Sequence, residues 1–162
     1  MKYWLAALLL LVPLQAQAFR AVVVKVADGD TVTVMRDGEK QRVRVFGIDA
    51  PEHDQPGGTQ AKRDMAALVL GKTVEVDPPP GKRNYPHSYD RIVAMLTTPE
   101  GTDIGWVLLT MGDAWAYDDF HPPRSYDEAM TQAANIHIGL WAQADPIPPW
   151  DWRHRKPHYR RH

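Results

Sequence analysis

The chain has 162 residues, 19 Lys+Arg against 20 Asp+Glu for a formal charge of −1, 44% apolar residues, 14 Pro, 11 Gly and no Cys. That is enough for one domain with a real core. The missing cysteines exclude a disulfide framework, and the charge balance gives no sign of a polyanion partner.

Met1 and Lys2 give a positive start, Trp4 to Val12 is a short apolar run, and Ala16-Gln17-Ala18 puts small residues on either side of Gln17. This pattern predicts a signal peptide over 1–18, cut before Phe19. The apolar run falls short of the ~20 residues that would span a bilayer, and Pro13 and Gln15 end it. An exported chain, periplasmic or secreted, is therefore expected. Its 144 residues lose Lys2 and carry 18 basic against 20 acidic groups. Arg153, Arg155, Lys156, Arg160 and Arg161 crowd the end, so residues 19–152 hold 13 basic and 20 acidic groups.

From Phe19 the first half reads as strands. Arg20–Val26 is Val-rich, Asp28-Gly29 signals a hairpin turn, and Thr31–Met35 is β-branched up to a second turn at Asp37-Gly38. Gln41–Phe46 alternates, with Val43 and Val45 on one face and Arg42, Arg44 and Phe46 on the other. After a Pro/Gly-rich loop at 51–58, Ala61, Met65, Leu68 and Val69 fall on one face of a helix that stops at Gly71. Thr73–Val76 and Arg91–Leu96 are two more strands. A short helix is expected over 103–111, and Ser125-x-x-Glu128 reads as a capping box opening a helix that stops at Gly139. Residues 144–162 form a Pro-rich, then basic, tail: either a grip on nucleic acid or an anionic surface, or a solvated end. The order β-β-β-α-β-β-α-α is that of an OB-fold, a five-stranded barrel with three helices in the α+β class, over 19–143.

Two acidic clusters stand out. Asp28-Gly29-Asp30-Thr31 suits a plain hairpin turn, yet strand geometry can bring Asp30 on the second strand beside Asp49 on the third. Two converging carboxylates with a loop carbonyl and water suit a hard cation such as Ca²⁺. Without a cation, one of the pair would hold a proton at a raised pKa. Arg44 is either a solvent-facing strand residue or, with Arg91 and Glu52, part of the set needed for displacement at phosphorus: guanidinium forks for the phosphate and a carboxylate for water.

Asp28-Gly-Asp-Thr31, Val43-Arg-Val-Phe-Gly-Ile-Asp-Ala-Pro-Glu52, Gly58-x-x-Ala61-Lys62, Tyr89-x-Arg91, Gly112-x-Ala114-Trp115 and Gly139-Leu-Trp141 resemble the staphylococcal nuclease-like (thermonuclease) family in order and spacing, over about residues 20–142. Pro148-Pro-Trp-Asp-Trp-Arg153 is similar to the tail of exported bacterial members. The resemblance implies a monomeric, Ca²⁺-dependent phosphodiesterase cleaving DNA and RNA. In it, Asp30, Asp49 and the Ala50 carbonyl would hold one ion, and Glu52 would be the general base or water-orienting group. Arg44 and Arg91 would clamp the phosphate, with Asp28 as a nearby acid. Tyr89 would bond a phosphate, and Trp115 or Tyr117 would stack on a base.

The family's basic residue and glycine ahead of the fifth strand are replaced by Ser88 and Asp90, and Asp118-Asp119 follow the aromatics; all three changes should weaken attraction for a polyanion. An OB module that binds nucleic acid or another anion in the cell envelope without cutting it is the alternative on the same residues. His53, His87 and His121 lack metal-ligand spacing, and Trp106, Trp115 and Trp141 suit core positions.

Overall fold

A computed structural model describes residues 18–82 and 84–155. The signal peptide expected over 1–18 lies outside these residues except for Ala18, as does the basic end from Lys156 on. Strands β1 (Phe19–Val26), β2 (Thr31–Arg36) and β3 (Glu39–Val45) form the expected antiparallel meander. A two-residue strand β4 (Ile48–Asp49) follows, then helix α1 (Gly58–Val69), whose buried face is Ala61, Met65 and Val69. β5 (Thr73–Asp77) pairs with β1 and with β7 (Arg91–Thr97); the short β6 (His87–Ser88) pairs with β7.

The barrel closes where β3 and β7 run parallel, Val43 opposite Ile92 and Arg44 opposite Val93. Val23, Val32, Val34, Val43, Val45, Val76 and Leu96 fill its interior with no exposed surface. Each buried Val or Leu contributes roughly 1.5–3 kcal/mol relative to exposure, which the cost of ordering the chain largely offsets. α2 (Ile104–Met111) is capped by Asp103, whose Oδ1 accepts the Trp106 N–H at 3.2 Å. β8 (Trp115–Ala116) pairs with β4, and α3 (Arg124–Asn135) packs on α2.

Four local expectations are corrected. The Ser125 capping box does not form: α3 starts at Arg124 behind Pro123, whose φ of −56° already suits helix entry, and no side chain caps it. Glu128 pairs with Arg124 at 3.2 Å instead of reaching back. The helix ends at Asn135 rather than Gly139, with the backbone left-handed at His137 (φ 54°). Trp106 is an exposed residue of α2, not core. A fourth helix, α4 (Pro149–Arg155), occupies part of the segment that reads as a tail. No described helix is long and apolar enough to cross a membrane.

Candidate active site

The open end of the barrel holds a polar cleft of about 400 Å³, lined by Asp28, Asp30, Arg44, Asp49, Glu52 and Arg91, with Tyr89, Tyr117 and Arg153 at its edge. Asp30 and Asp49 do meet, though not as neighbours on the second and third strands. Asp30 ends the β1–β2 loop and Asp49 belongs to β4, after the chain has turned at Gly47 (φ 77°). Arg44 joins them from β3: its Nη1 stands 2.5 Å from Asp30 Oδ2 and its Nη2 donates to Asp49 Oδ1 at 2.8 Å. Arg44 is buried, so the solvent-facing alternative fails. β3 alternates as expected, but the face opposite Val43 and Val45 is covered here by the site loops.

Those loops are held at backbone level. Asp30 Oδ2 accepts the Ala50 N–H at 2.9 Å, Asp30 Oδ1 accepts the Thr31 hydroxyl at 2.9 Å, and the Asp30 carbonyl accepts the Val45 N–H at 2.8 Å. Gly29 sits where a Cβ would stand 2.7 Å from Ala50 Cβ and 2.8 Å from Ala61 Cβ, so the first acidic motif packs directly on the second and on α1. At Gly58 a Cβ would fall 1.9 Å from the Glu52 carbonyl; only glycine lets α1 begin against the Glu52 loop.

Arg91 Nη1 donates to Thr31 Oγ1 at 3.0 Å, which links the second arginine through Thr31 to Asp30. Asp90 pairs with Arg42 rather than with Arg91, and that pairing holds its carboxyl below the ordinary range. The expected weakening of Arg91 by Asp90 is thus met by a different cation. Asp119 accepts the Tyr117 hydroxyl at 2.7 Å. Tyr89 stands almost wholly exposed at the cleft mouth. Trp115 is corrected: it is buried, its ring 5.3 Å from that of Trp141, so no base can stack on it. Tyr117 remains at the edge of the cleft.

Burial, then the Asp30 charge, pushes Asp28 up to about 7. Burial also raises Asp49, against the pull of Arg153 and Arg44. The cleft therefore holds more carboxylate than its guanidiniums neutralise: four acids face three arginines. Among the described residues no group of three or more His, Cys, Asp or Glu side chains is arranged to hold a metal. Asp30, Asp49 and the Ala50 carbonyl still fit a hard cation whose shell is completed by water, because every donor is oxygen.

Sequence reasoning missed three residues. Thr31 lies inside a motif, but its hydroxyl link has no pattern of its own. Gln55 accepts the Glu52 N–H through Oε1 at 3.1 Å, and its buried side chain is marked only by its spacing from Glu52. Arg153 donates to Glu52 Oε1 and to Asp49 Oδ2, each at 2.9 Å, from beyond the barrel.

Residues 42–143 match the family of staphylococcal nuclease homologues. The chain is 38% identical over 134 residues to a protein of Escherichia coli named an uncharacterized endonuclease, covering 83% of this chain and 84% of that one. It is 34% identical over 155 residues to a micrococcal nuclease of Shigella flexneri, covering 91% and 88%. A Haemophilus influenzae protein named an uncharacterized endonuclease is 35% identical over 135 residues, 83% of this chain and 72% of its own. With the barrel, the two acidic motifs and these matches in agreement, the chain belongs to the staphylococcal nuclease family.

Proposed function

We propose that the protein is an exported endonuclease that hydrolyses phosphodiester bonds of DNA and RNA by in-line attack of water, with one calcium ion as cofactor. The observation that carries this is Arg44 bridging Asp30 and Asp49 in a cleft that also holds Arg91 and Glu52. The names of the relatives support the activity, and the all-oxygen donor set supports a hard cation.

Asp30, Asp49 and the Ala50 carbonyl would hold the ion, with Asp28 behind them. Calcium, when bound, would supply positive charge that offsets the negative charge of the phosphate. The rest falls to the chain. Arg44 and Arg91 offer guanidinium N–H groups to the other phosphate oxygens, where negative charge grows as water adds to phosphorus. Glu52, half-exposed on its loop, orients that water and takes its proton. Tyr89 reaches a phosphate at the mouth, and Tyr117 offers its ring to a base. Export rests on the short apolar run and Ala16-Gln17-Ala18.

Plasmid and RNA incubated with the purified chain in calcium, then in excess chelator, test this on a gel. Cleavage in calcium alone is expected. Binding without cleavage in calcium would move the protein to the non-catalytic OB module, and equal cleavage in chelator would remove calcium from the proposal.

A further inference from the structure

α4 lies against the cleft and is tied there at four points. Gln55 Nε2 donates to the Ile147 carbonyl at 2.5 Å, just ahead of the helix, and Pro149 is buried. Trp152 Nε1 donates to Asp54 Oδ1 at 3.4 Å. The Trp150 ring sits 5.6 Å from the Tyr117 ring at 33°. These contacts aim Arg153 into the cleft, where its two terminal nitrogens take one oxygen each from Glu52 and Asp49 at 2.9 Å, with Nη1 also 3.4 Å from Asp49 Oδ1. Partial burial would lower the Arg153 pKa, but the hydrogen bonds to Asp49 and Glu52 outweigh it and raise it, so the cation is fixed.

Every group that α4 touches in the cleft already has a part in the proposed reaction. Arg153 takes an oxygen of a carboxylate meant for the ion and an oxygen of the one meant for water. Trp150 covers the ring meant for a base. Seated, Arg153 supplies one of the three positive charges that face the cleft's four acids; its departure leaves one more negative charge for a divalent cation to neutralise.

Resting on the calcium-dependent reading above, we propose that α4 is a built-in inhibitory strap: Arg153 competes with the divalent cation for Asp49 and Glu52, and Trp150 shields Tyr117, so the cation and the nucleic acid must displace the helix. The strap sets the cation concentration at which the cleft opens. The competition acts by population: if the strapped form dominates by a factor K, the apparent dissociation constant for calcium rises by about that factor. Two charge-assisted hydrogen bonds from a side chain still 44% exposed, helped by one aromatic contact, put K at roughly 10 to 100.

The test is calorimetric titration of calcium alone into the full exported chain and its Arg153→Gln and Trp150→Ala variants, with circular dichroism to verify folding. Arg153→Gln should bind calcium roughly 10- to 100-fold more tightly. Trp150→Ala, which loosens the strap and leaves Arg153 in place, should give a smaller shift in the same direction. In the wild type, amide hydrogen exchange over 149–155 should speed up when calcium is added. Equal or weaker calcium affinity in Arg153→Gln, or unchanged exchange over 149–155, overturns the strap while the calcium-dependent nuclease stands. A wild type that binds no calcium and cuts equally in chelator overturns both.

Discussion

Replacing Arg44 with Met keeps an unbranched stem but takes from between two buried carboxylates the only buried cation among the described residues. The Arg44 side chain is 9% exposed, that of Asp30 8% and that of Asp49 2%, so solvent cannot stand in for the lost charge. Breaking such a buried pair by removing one partner costs about 3–5 kcal/mol, because the other charge stays behind uncompensated. Asp30 keeps the Ala50 N–H and the Thr31 hydroxyl, and Asp49 keeps Arg153. The lower end, about 3 kcal/mol, is therefore expected at pH 8. For a domain of this size that lowers the melting temperature by roughly 10 °C. The loss should shrink as the pH falls, because Asp49, which burial already raises, can then take up a proton and leave less charge to compensate. Urea unfolding of wild type and Arg44→Met at pH 8 and pH 5 measures it. A loss under about 1 kcal/mol at pH 8, or one equal at both pH values, would refute Arg44 as the charge that makes this pair of acids tolerable.

Glu52→Gln keeps shape and removes the base, so calcium and substrate should still bind while single-turnover cleavage falls on the order of 10²- to 10⁴-fold. Asp30→Asn should instead weaken calcium binding in calorimetry, with part of the rate returning at raised calcium. Asp113 is buried with Oδ2 unpartnered, and burial, then the nearby Asp64, pushes it up to about 7 from 3.8. The folded chain thus holds this proton more tightly than the unfolded one: the stability is fully present below about pH 4 and is lost as pH rises to 7, a swing of roughly 2–4 kcal/mol. Asp113→Asn should flatten that part of the stability–pH curve and unfold at higher urea than wild type at pH 8. Export should leave Phe19 as the first residue, which N-terminal sequencing of the exported protein checks; a chain still beginning at Met1 in the membrane fraction would refute the cut.

Much of the barrel was legible because its signals are local. β-branched runs and Asp-Gly turns marked β1 to β3, and the apolar spacing of Ala61, Met65 and Val69 marked α1. Periodicity says which face of an element is apolar, not which element will cover the other face. That is why Arg44 could read as solvent-facing, although β4 and the Asp30 loop bury it. It is also why Trp115 stayed open between core and base stacking until Trp141 was seen beside it. The meeting of Asp30 and Asp49 was legible as an outcome but not as a route: Arg44 and Gly29 bring them together, and neither acts through its neighbours in sequence.

α4 was hidden for a different reason. Seven residues beginning with Pro149 are too few for an apolar period to emerge, and an isolated helix of that length does not hold in water. What holds it is side-chain docking on Gln55, Asp54 and Tyr117, and such contacts between distant segments leave no local pattern. The site also needs two kinds of cation. Asp49, buried and facing Asp30 through a shared guanidinium, is costly to keep charged without positive charge on both sides. Arg44 supplies it from inside the barrel wall, where β2 and β7 fix its backbone and its side chain is buried between the two acids. Arg153 supplies it from a short, half-exposed helix that no ladder holds. Of the two arginines that neutralise Asp49, Arg153, 44% exposed against 9% for Arg44, is the one that can leave for solvent when an ion arrives.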